Sequence, residues 1–90
     1  MQFEWDEEKA KTNLQKHKIS FLAATAVFDD LNRIEEDCTR PEQGEIRTKT
    51  IGRVGEEFIV VVISTNREQK RRIISARRAG KNEREKYHHS

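Results

Sequence analysis

The chain has 90 residues, of which 33% are hydrophobic and 38% charged, and its formal net charge at pH 7 is +2. This size predicts one small domain over residues 1–90 with a thin core. No apolar run is long enough to cross a membrane, the first residues do not resemble a secretory leader, and one cysteine and three histidines are too few for a disulfide framework or a closed zinc site. We therefore expect a cytoplasmic protein with no metal and no cofactor.

The N-terminal third predicts a short strand followed by two helices. Residues 2–5 alternate polar and apolar side chains, which favours a strand. Asp6 is a candidate N-cap for a helix that runs to about residues 16–17, and Ser20 for a second helix that ends near residues 29–30. The apolar side chains that we expect to be buried against a sheet are Leu14, Phe21 and Phe28.

The rest of the chain predicts four strands and a last helix. The strands are expected at residues 32–37, 45–54, 57–64 and 70–78, with a polar loop at 38–44. The continuous apolar run at 57–64 is typical of a central strand buried on both faces. Residues 80–88 predict a polar helix with Gly80 as N-cap. This order indicates an α+β fold, with two N-terminal helices on one face of a mostly antiparallel sheet and the other face free for function.

The basic residues are concentrated in the second half of the chain. Residues 1–45 carry a net charge of −5, whereas residues 46–90 carry +7. Regular alternation along strand 70–78 would place Arg71 and Arg77 on one face and Arg72 and Arg78 on the other. Lys49 and Arg53 share one face of the strand predicted at residues 45–54. These side chains could bind the phosphates of a polyanion, or they could simply protect exposed strands from aggregation.

Three further side chains are candidates for acid–base chemistry. His17 could exchange a proton near neutral pH, although a histidine at a helix C-terminus can also serve only the helix dipole. Glu83 and Tyr87 lie four residues apart and share a helix face. They could supply a base, an orienting group or a stacking surface, or Tyr87 could anchor the helix to the sheet. The residues themselves complete no catalytic triad.

Several segments together resemble one protein family. They are Phe3-Glu-Trp-Asp-Glu-Glu-Lys-Ala, Asn13-Leu-Gln-Lys-His17, Ile19-Ser-Phe-Leu-Ala-Ala, Val27-Phe-Asp-Asp30, Thr50-Ile-Gly-Arg53 and Arg72-Ile-Ile-Ser-Ala-Arg-Arg-Ala79, followed by Glu83-Arg84 and Tyr87. In this order, over nearly the whole chain, they resemble the BrnT toxin family. The combination is more specific than any one of the segments.

The resemblance implies a bacterial toxin of a type II toxin–antitoxin system with a compact RelE-like fold. Such a toxin would be a ribonuclease that inhibits translation and needs no metal, because the ribose 2′-hydroxyl attacks the adjacent phosphate. The implied partner is a BrnA-like ribbon-helix-helix antitoxin, in a hetero-oligomer that reaches promoter DNA only through the antitoxin. The alternative is a non-catalytic co-repressor or degenerate toxin that acts through the same partner.

The resemblance also implies roles for particular residues. Arg72 and Arg77 would clamp the phosphate or the transition state, and the residues that would hold the RNA backbone are Lys49, Arg53 and Arg78. His17 is the acid–base candidate, with Glu83 and Tyr87 as alternatives. Arg72 and Arg77 cannot share a face of an undistorted strand, but a bulge or the end of the sheet could bring them together. Gly80 departs from the expected pattern, in which a hydroxyl residue caps the last helix.

Overall fold

The computed structural model describes residues 1–89, which form a five-stranded sheet flanked by helices. The strands are β1 (Gln2–Glu4), β2 (Ile34–Asp37), β3 (Thr48–Val54), β4 (Phe58–Arg67) and β5 (Lys70–Arg78). Their order across the sheet is β1-β5-β4-β3-β2. β1 runs parallel to β5, and the other three pairs are antiparallel. The α+β class and the central place of the apolar strand are therefore confirmed.

Three α-helices complete the fold, and two 3-10 segments accompany them. The α-helices are α1 (Glu7–His17), α2 (Phe21–Ala24) and α3 (Lys81–His88). A 3-10 helix at Thr25–Asp29 directly continues α2, and a second at Pro41–Gln43 lies in the predicted loop. Within residues 1–89, no helix is both long and apolar enough to cross a membrane.

α1 is attached to the sheet by a polar side chain. Asp6 caps the helix by accepting a hydrogen bond from the backbone N–H of Glu8 at 2.9 Å. The prediction that Leu14 is buried is wrong, because this side chain faces solvent and is 48% exposed. The buried residue of α1 is Asn13. Its amide nitrogen donates to the carbonyl of Ala76 at 2.8 Å, and its amide oxygen accepts from the Ala76 N–H at 3.2 Å. The Asn13 side chain thus satisfies the backbone groups of β5 at an edge position that β1 does not reach.

One face of the sheet carries the larger core, which lies under α1, α2 and the first 3-10 helix. Its buried members are Phe21, Ala24, Val27, Phe28, Val60, Val62, Ile73 and Ala76. The 3-10 helix approaches β3 at Gly52, where an added Cβ would lie 2.9 Å from the Cβ of Val27. Glycine is therefore required in the Ile-Gly-Arg motif for close packing. We call this side of the sheet the first face.

The opposite side, the second face, is not free as predicted, because α3 covers part of it. Tyr87 is only 7% exposed and packs with Ile51, Ile59, Val61 and Ala79. α3 is otherwise strongly polar, so its one large apolar side chain fixes the helix to the sheet. The alternative in which Tyr87 anchors the helix is consistent with this packing.

A β-bulge in β5 changes which arginines share a face. Ser64 lies opposite Ile73, but Ile63 lies opposite Ser75, so Ile74 is the extra residue. The alternation predicted for a regular strand is wrong for this reason. Arg72 and Arg77 both lie on the second face, whereas Arg71 and Arg78 lie on the first. The β4 partners of Arg72 and Arg77 are four positions apart, which corresponds to about 13 Å along the strand.

Candidate active site

The carboxylate of Glu83 binds two cations on the second face. Arg77 on β5 donates from Nη1 to Oε1 at 2.7 Å and from Nη2 to Oε2 at 2.8 Å. Lys49 on β3 places Nζ 2.7 Å from Oε2. We call Lys49, Arg77 and Glu83 the Glu83 cluster. It brings together three of the residues predicted from the sequence.

The start of α3 fixes the position of this carboxylate. Glu83 is the third residue of the helix, and its Oε1 accepts a hydrogen bond from the N–H of Gly80 at 2.8 Å. This is the return bond of a capping box, and it forms although Gly80 has no hydroxyl to complete the pair. The missing hydroxyl therefore does not displace α3 from the sheet.

The contacts within the Glu83 cluster shift the pKa values of both Glu83 and Arg77. The hydrogen bonds from Arg77, supported by those from Lys49 and Gly80, outweigh the burial that opposes them and hold the pKa of Glu83 far below its usual range. The hydrogen bond to Glu83 in turn raises the pKa of Arg77. The Glu83 side chain is 16% exposed, compared with 25% for Lys49 and 42% for Arg77. Both basic side chains can be reached from solvent.

A second group of polar side chains lies one helical turn further along α3. Tyr87 donates from its hydroxyl to Oδ2 of Asp30 at 2.5 Å, and the backbone N–H of Arg53 donates to the same oxygen at 2.8 Å. The Arg53 guanidinium lies 5.8 Å from the centre of the Tyr87 ring. These contacts connect α3, β3 and the end of the first 3-10 helix.

The two acids of this second group are shifted in opposite directions. Burial opposes the ionisation of Asp30, but hydrogen bonds from Tyr87, Asn32 and Arg53 outweigh it and lower its pKa. Burial, and then the hydrogen bond to Asp30, raises the pKa of Tyr87. The phenol is therefore a hydrogen-bond donor to a carboxylate. Sequence reasoning treated Asp30 only as a helix end and a motif position, and no local pattern points to its contact with a tyrosine 57 residues away.

An open cleft adjoins the Glu83 cluster. Its volume is about 480 Å³, and it is lined by Lys49, Gly80, Lys81, Asn82, Glu83 and Lys86. Lys86 also binds Glu36 of β2 at 2.6 Å. Three ammonium groups thus border one concave surface, which suits an anionic ligand. Among residues 1–89, no three His, Cys, Asp or Glu side chains are grouped so as to hold a metal ion.

Three of the predicted residues lie apart from this cluster. His17 ends α1 and lines a different cleft, together with Thr12 and Ile74. Arg72 binds Glu4 of β1 at 2.9 Å. Arg78 lies on the first face, with its guanidinium 4.5 Å from the centre of the Phe58 ring. The fold therefore brings five of the eight predicted residues around α3 and leaves these three elsewhere.

Comparison with known proteins indicates the family. Residues 5–83 match the family described as "Ribonuclease toxin, BrnT, of type II toxin-antitoxin system". The structure is similar to the crystal structure of the Brucella abortus ribonuclease toxin BrnT, with a TM-score of 0.71 and 28% sequence identity. The match covers 90% of this chain and 99% of that one. No curated protein sequence matches the chain.

Proposed function

The chain belongs to the BrnT family of ribonuclease toxins of type II toxin–antitoxin systems, and from this premise we propose that it is a metal-independent endoribonuclease whose active site is the Glu83 cluster. The observation that chiefly supports this site is that Arg77 and Lys49 converge on one carboxylate at 2.7–2.8 Å. A phosphodiester of RNA, like that carboxylate, carries one negative charge shared by two oxygens that can bind an arginine in bidentate fashion. It can therefore replace Glu83 as the partner of both cations.

The reaction that fits these groups is attack by a ribose 2′-hydroxyl on the adjacent phosphorus. A bond forms between O2′ and phosphorus, the bond between phosphorus and the 5′ oxygen breaks, and the products are a 2′,3′-cyclic phosphate and a free 5′-hydroxyl. The guanidinium of Arg77 and the ammonium of Lys49 stabilise the negative charge that accumulates on the phosphoryl oxygens. The Lys49 ammonium can also donate the proton that the leaving oxygen requires.

We propose that Glu83 accepts the proton from the 2′-hydroxyl. With both cations bound, this carboxylate is a weak base, since they hold its pKa far below the usual range. When a phosphate takes over Arg77 and Lys49, the largest cause of that depression is removed and the pKa of Glu83 rises, although the hydrogen bond from Gly80 remains. The base would then become active only when RNA occupies the site.

The remaining residues have supporting parts in this proposal. Arg53 is exposed close to the Tyr87 ring, on the same face as the cluster, and would hold a neighbouring phosphate. Tyr87 positions α3 through Asp30. His17 stays the competing acid–base candidate. Arg72 and Arg78 stay candidate RNA contacts. From the Glu83 cluster, the RNA would have to continue along the sheet to reach Arg72, or pass around the sheet edge to reach Arg78 on the first face.

A type II system implies an antitoxin partner. We propose a BrnA-like ribbon-helix-helix antitoxin, which would neutralise the toxin and carry the complex to promoter DNA. The isolated chain would then bind that DNA poorly.

The test is induction of this chain without its partner, beside the variants Arg77→Ala, Glu83→Gln and His17→Ala. We expect growth arrest and fragments of RNA ending in a cyclic phosphate. Both should be lost with Arg77→Ala, and cleavage should fall roughly 100-fold or more with Glu83→Gln, the range for removing a general base. Cleavage by the purified chain should persist in EDTA.

Arg67→Ala is the matched control, because this exposed arginine lies at the far end of β4. A folded Arg77→Ala variant that still cleaves would remove the Glu83 cluster from the mechanism. Loss of activity with His17→Ala alone would assign the proton transfer to His17. A folded wild-type chain that neither arrests growth nor cleaves RNA would favour the non-catalytic co-repressor.

A further inference from the structure

A second cavity lies on the same face as the Glu83 cluster and has no part in the chemistry described so far. Its volume is about 250 Å³, and it is lined by Cys38, Arg40, Gln43, Arg47, Ile63, Ile74 and Ser75. The segment between β2 and β3 forms one wall, and β4 and β5 form the other. We call it the loop pocket.

Strand register places the loop pocket beside the proposed phosphate site. Ile63 is the β4 residue paired with Lys49 of β3. Ser75 is paired with the same Ile63 and lies two residues before Arg77 on the same face of β5. Two residues along a strand span about 7 Å, so the two sites are a short step apart on one surface.

The lining of the loop pocket combines an apolar floor with one unpartnered polar atom. Ile63 and Ile74 supply the apolar surface, and the bulge in β5 exposes Ile74 at this point. The side-chain oxygen of Gln43 is buried but has no hydrogen-bond partner among residues 1–89. Such an atom costs free energy unless a ligand supplies a donor.

The two arginines of the loop pocket differ in their ion pairing. Arg47 is held by Glu45, with Nε 3.0 Å from Oε1. Arg40 is exposed and forms no ion pair within residues 1–89. A planar guanidinium of this kind can stack on a nucleobase. The pocket thus offers a stacking cation, an apolar floor and an amide whose oxygen has no hydrogen-bond partner within residues 1–89.

We propose that the loop pocket binds an adenine base that flanks the phosphate held by the Glu83 cluster, an inference that rests on the proposed ribonuclease function. The buried Gln43 amide would rotate towards the base, so that its oxygen accepts from the adenine N6 amino group while its amide nitrogen donates to N7, which is the bidentate pairing of glutamine with adenine. Guanine places an oxygen where adenine has the amino group, so the Gln43 acceptor disfavours it.

The experiment measures binding separately from cleavage. Cleavage sites are first mapped on a mixed-sequence RNA. A short oligonucleotide around one site is then made with a 2′-deoxyribose at the cleaved position, so that it binds without reacting. Its flanking base is adenine, guanine or 7-deazaadenine, and the dissociation constants are measured by fluorescence anisotropy with the wild-type chain and with Gln43→Ala. Gln69→Ala, an exposed glutamine in the β4–β5 turn, is the control.

We expect the wild type and Gln69→Ala to bind the adenine oligonucleotide at least about fivefold more tightly than the other two, as one bidentate base contact requires. Gln43→Ala should bind all three alike. Equal binding of the three by the wild type, or unchanged discrimination in Gln43→Ala, would overturn the proposal. If Gln43→Ala does not fold, the wild-type chain still tests the proposal. Equal binding of the adenine and 7-deazaadenine oligonucleotides by the wild type would contradict a hydrogen bond to N7. If the wild type cleaves no RNA, the same three bases are compared at one fixed position of an arbitrary single-stranded oligonucleotide. Discrimination there would contradict the proposed ribonuclease function but support base binding in the loop pocket.

Discussion

At the scale of single residues, Glu83 joins stability to the proposed chemistry. Its carboxylate is buried enough to need partners, and Arg77, Lys49 and the Gly80 N–H supply them. Hydrogen bonds to a charged group each contribute about 1.5–3 kcal/mol. The residue that is proposed to act as a base therefore also fastens α3 to β3 and β5.

Glu83→Gln should lower the free energy of unfolding by roughly 1–3 kcal/mol at pH 7, because the neutral amide attracts neither cation strongly. The folded pKa of Glu83 is depressed, so its contribution is complete above the unfolded value of about 4.3. It is lost progressively as the pH falls below that value. Urea unfolding of both chains at pH 7 and pH 3 should show the difference shrinking at the lower pH.

Glu57→Gln controls for the loss of one negative charge, since this glutamate is exposed in the β3–β4 turn. It should leave the free energy of unfolding nearly unchanged at both pH values. A Glu83→Gln deficit that is the same at pH 7 and pH 3 would contradict the ionic origin of the contribution.

At the scale of elements, the attachment of α1 depends on a polar contact. β1 covers only the first three residues of β5, and beyond it Asn13 takes the place of a neighbouring strand. Asn13 bonds both backbone groups of Ala76 and also donates to the carbonyl of Ile19 at 3.2 Å. Ala76 directly precedes Arg77, so α1 helps to fix the strand that carries the proposed phosphate clamp.

Asn13→Ala should therefore destabilise the chain by about 2–4 kcal/mol, because it leaves buried backbone groups of β5 without partners, at about 1–3 kcal/mol each. Chemical unfolding monitored by far-UV circular dichroism would measure this. Gln15→Ala, exposed on the same helix, should change stability by less than about 0.5 kcal/mol. A loss of the same size in both variants would contradict a specific contribution from the contact of Asn13 with β5, since alanine raises helix propensity at both positions.

The elements also show how far the sequence could predict the structure. The buried strand β4, the N-cap of α1 and the position of Glu83 in α3 follow from local patterns, and all three were predicted correctly. The burial of Asn13 could not be predicted, because its partner is 63 residues away and an isolated asparagine on a helix favours solvent. A bulge in β5 was predicted only as one of two ways for Arg72 and Arg77 to share a face, and its position at Ile74 was not predicted. The cover that α3 gives to the second face depends on one tyrosine in a polar helix, for which periodicity gives no signal.

At the scale of the whole molecule, the fold gathers basic side chains on the second face although the net charge is small. The net charge is only +2, but β3 and β5 place Lys49, Arg53 and Arg77 on the second face. Lys81 of α3 lines the cleft next to the Glu83 cluster. Binding of a single-stranded RNA by a few such groups releases a few counterions. The affinity should then depend on salt, but much less steeply than for a strongly basic protein.

We expect the logarithm of the RNA association constant to fall with the logarithm of the KCl concentration with a slope of about −2, which corresponds to about three phosphate contacts at 0.7 each. Arg53→Ala should weaken binding and make the slope shallower by about 0.7, because it removes one of these contacts. Arg67→Ala, exposed at the end of β4, should keep the wild-type slope. Fluorescence anisotropy with a non-cleavable oligonucleotide between 50 and 300 mM KCl, about a sixfold range, resolves such a change. If Arg78→Ala on the first face also made the slope shallower by a full contact, the RNA would have to cross the sheet edge, and a path confined to the second face would be wrong.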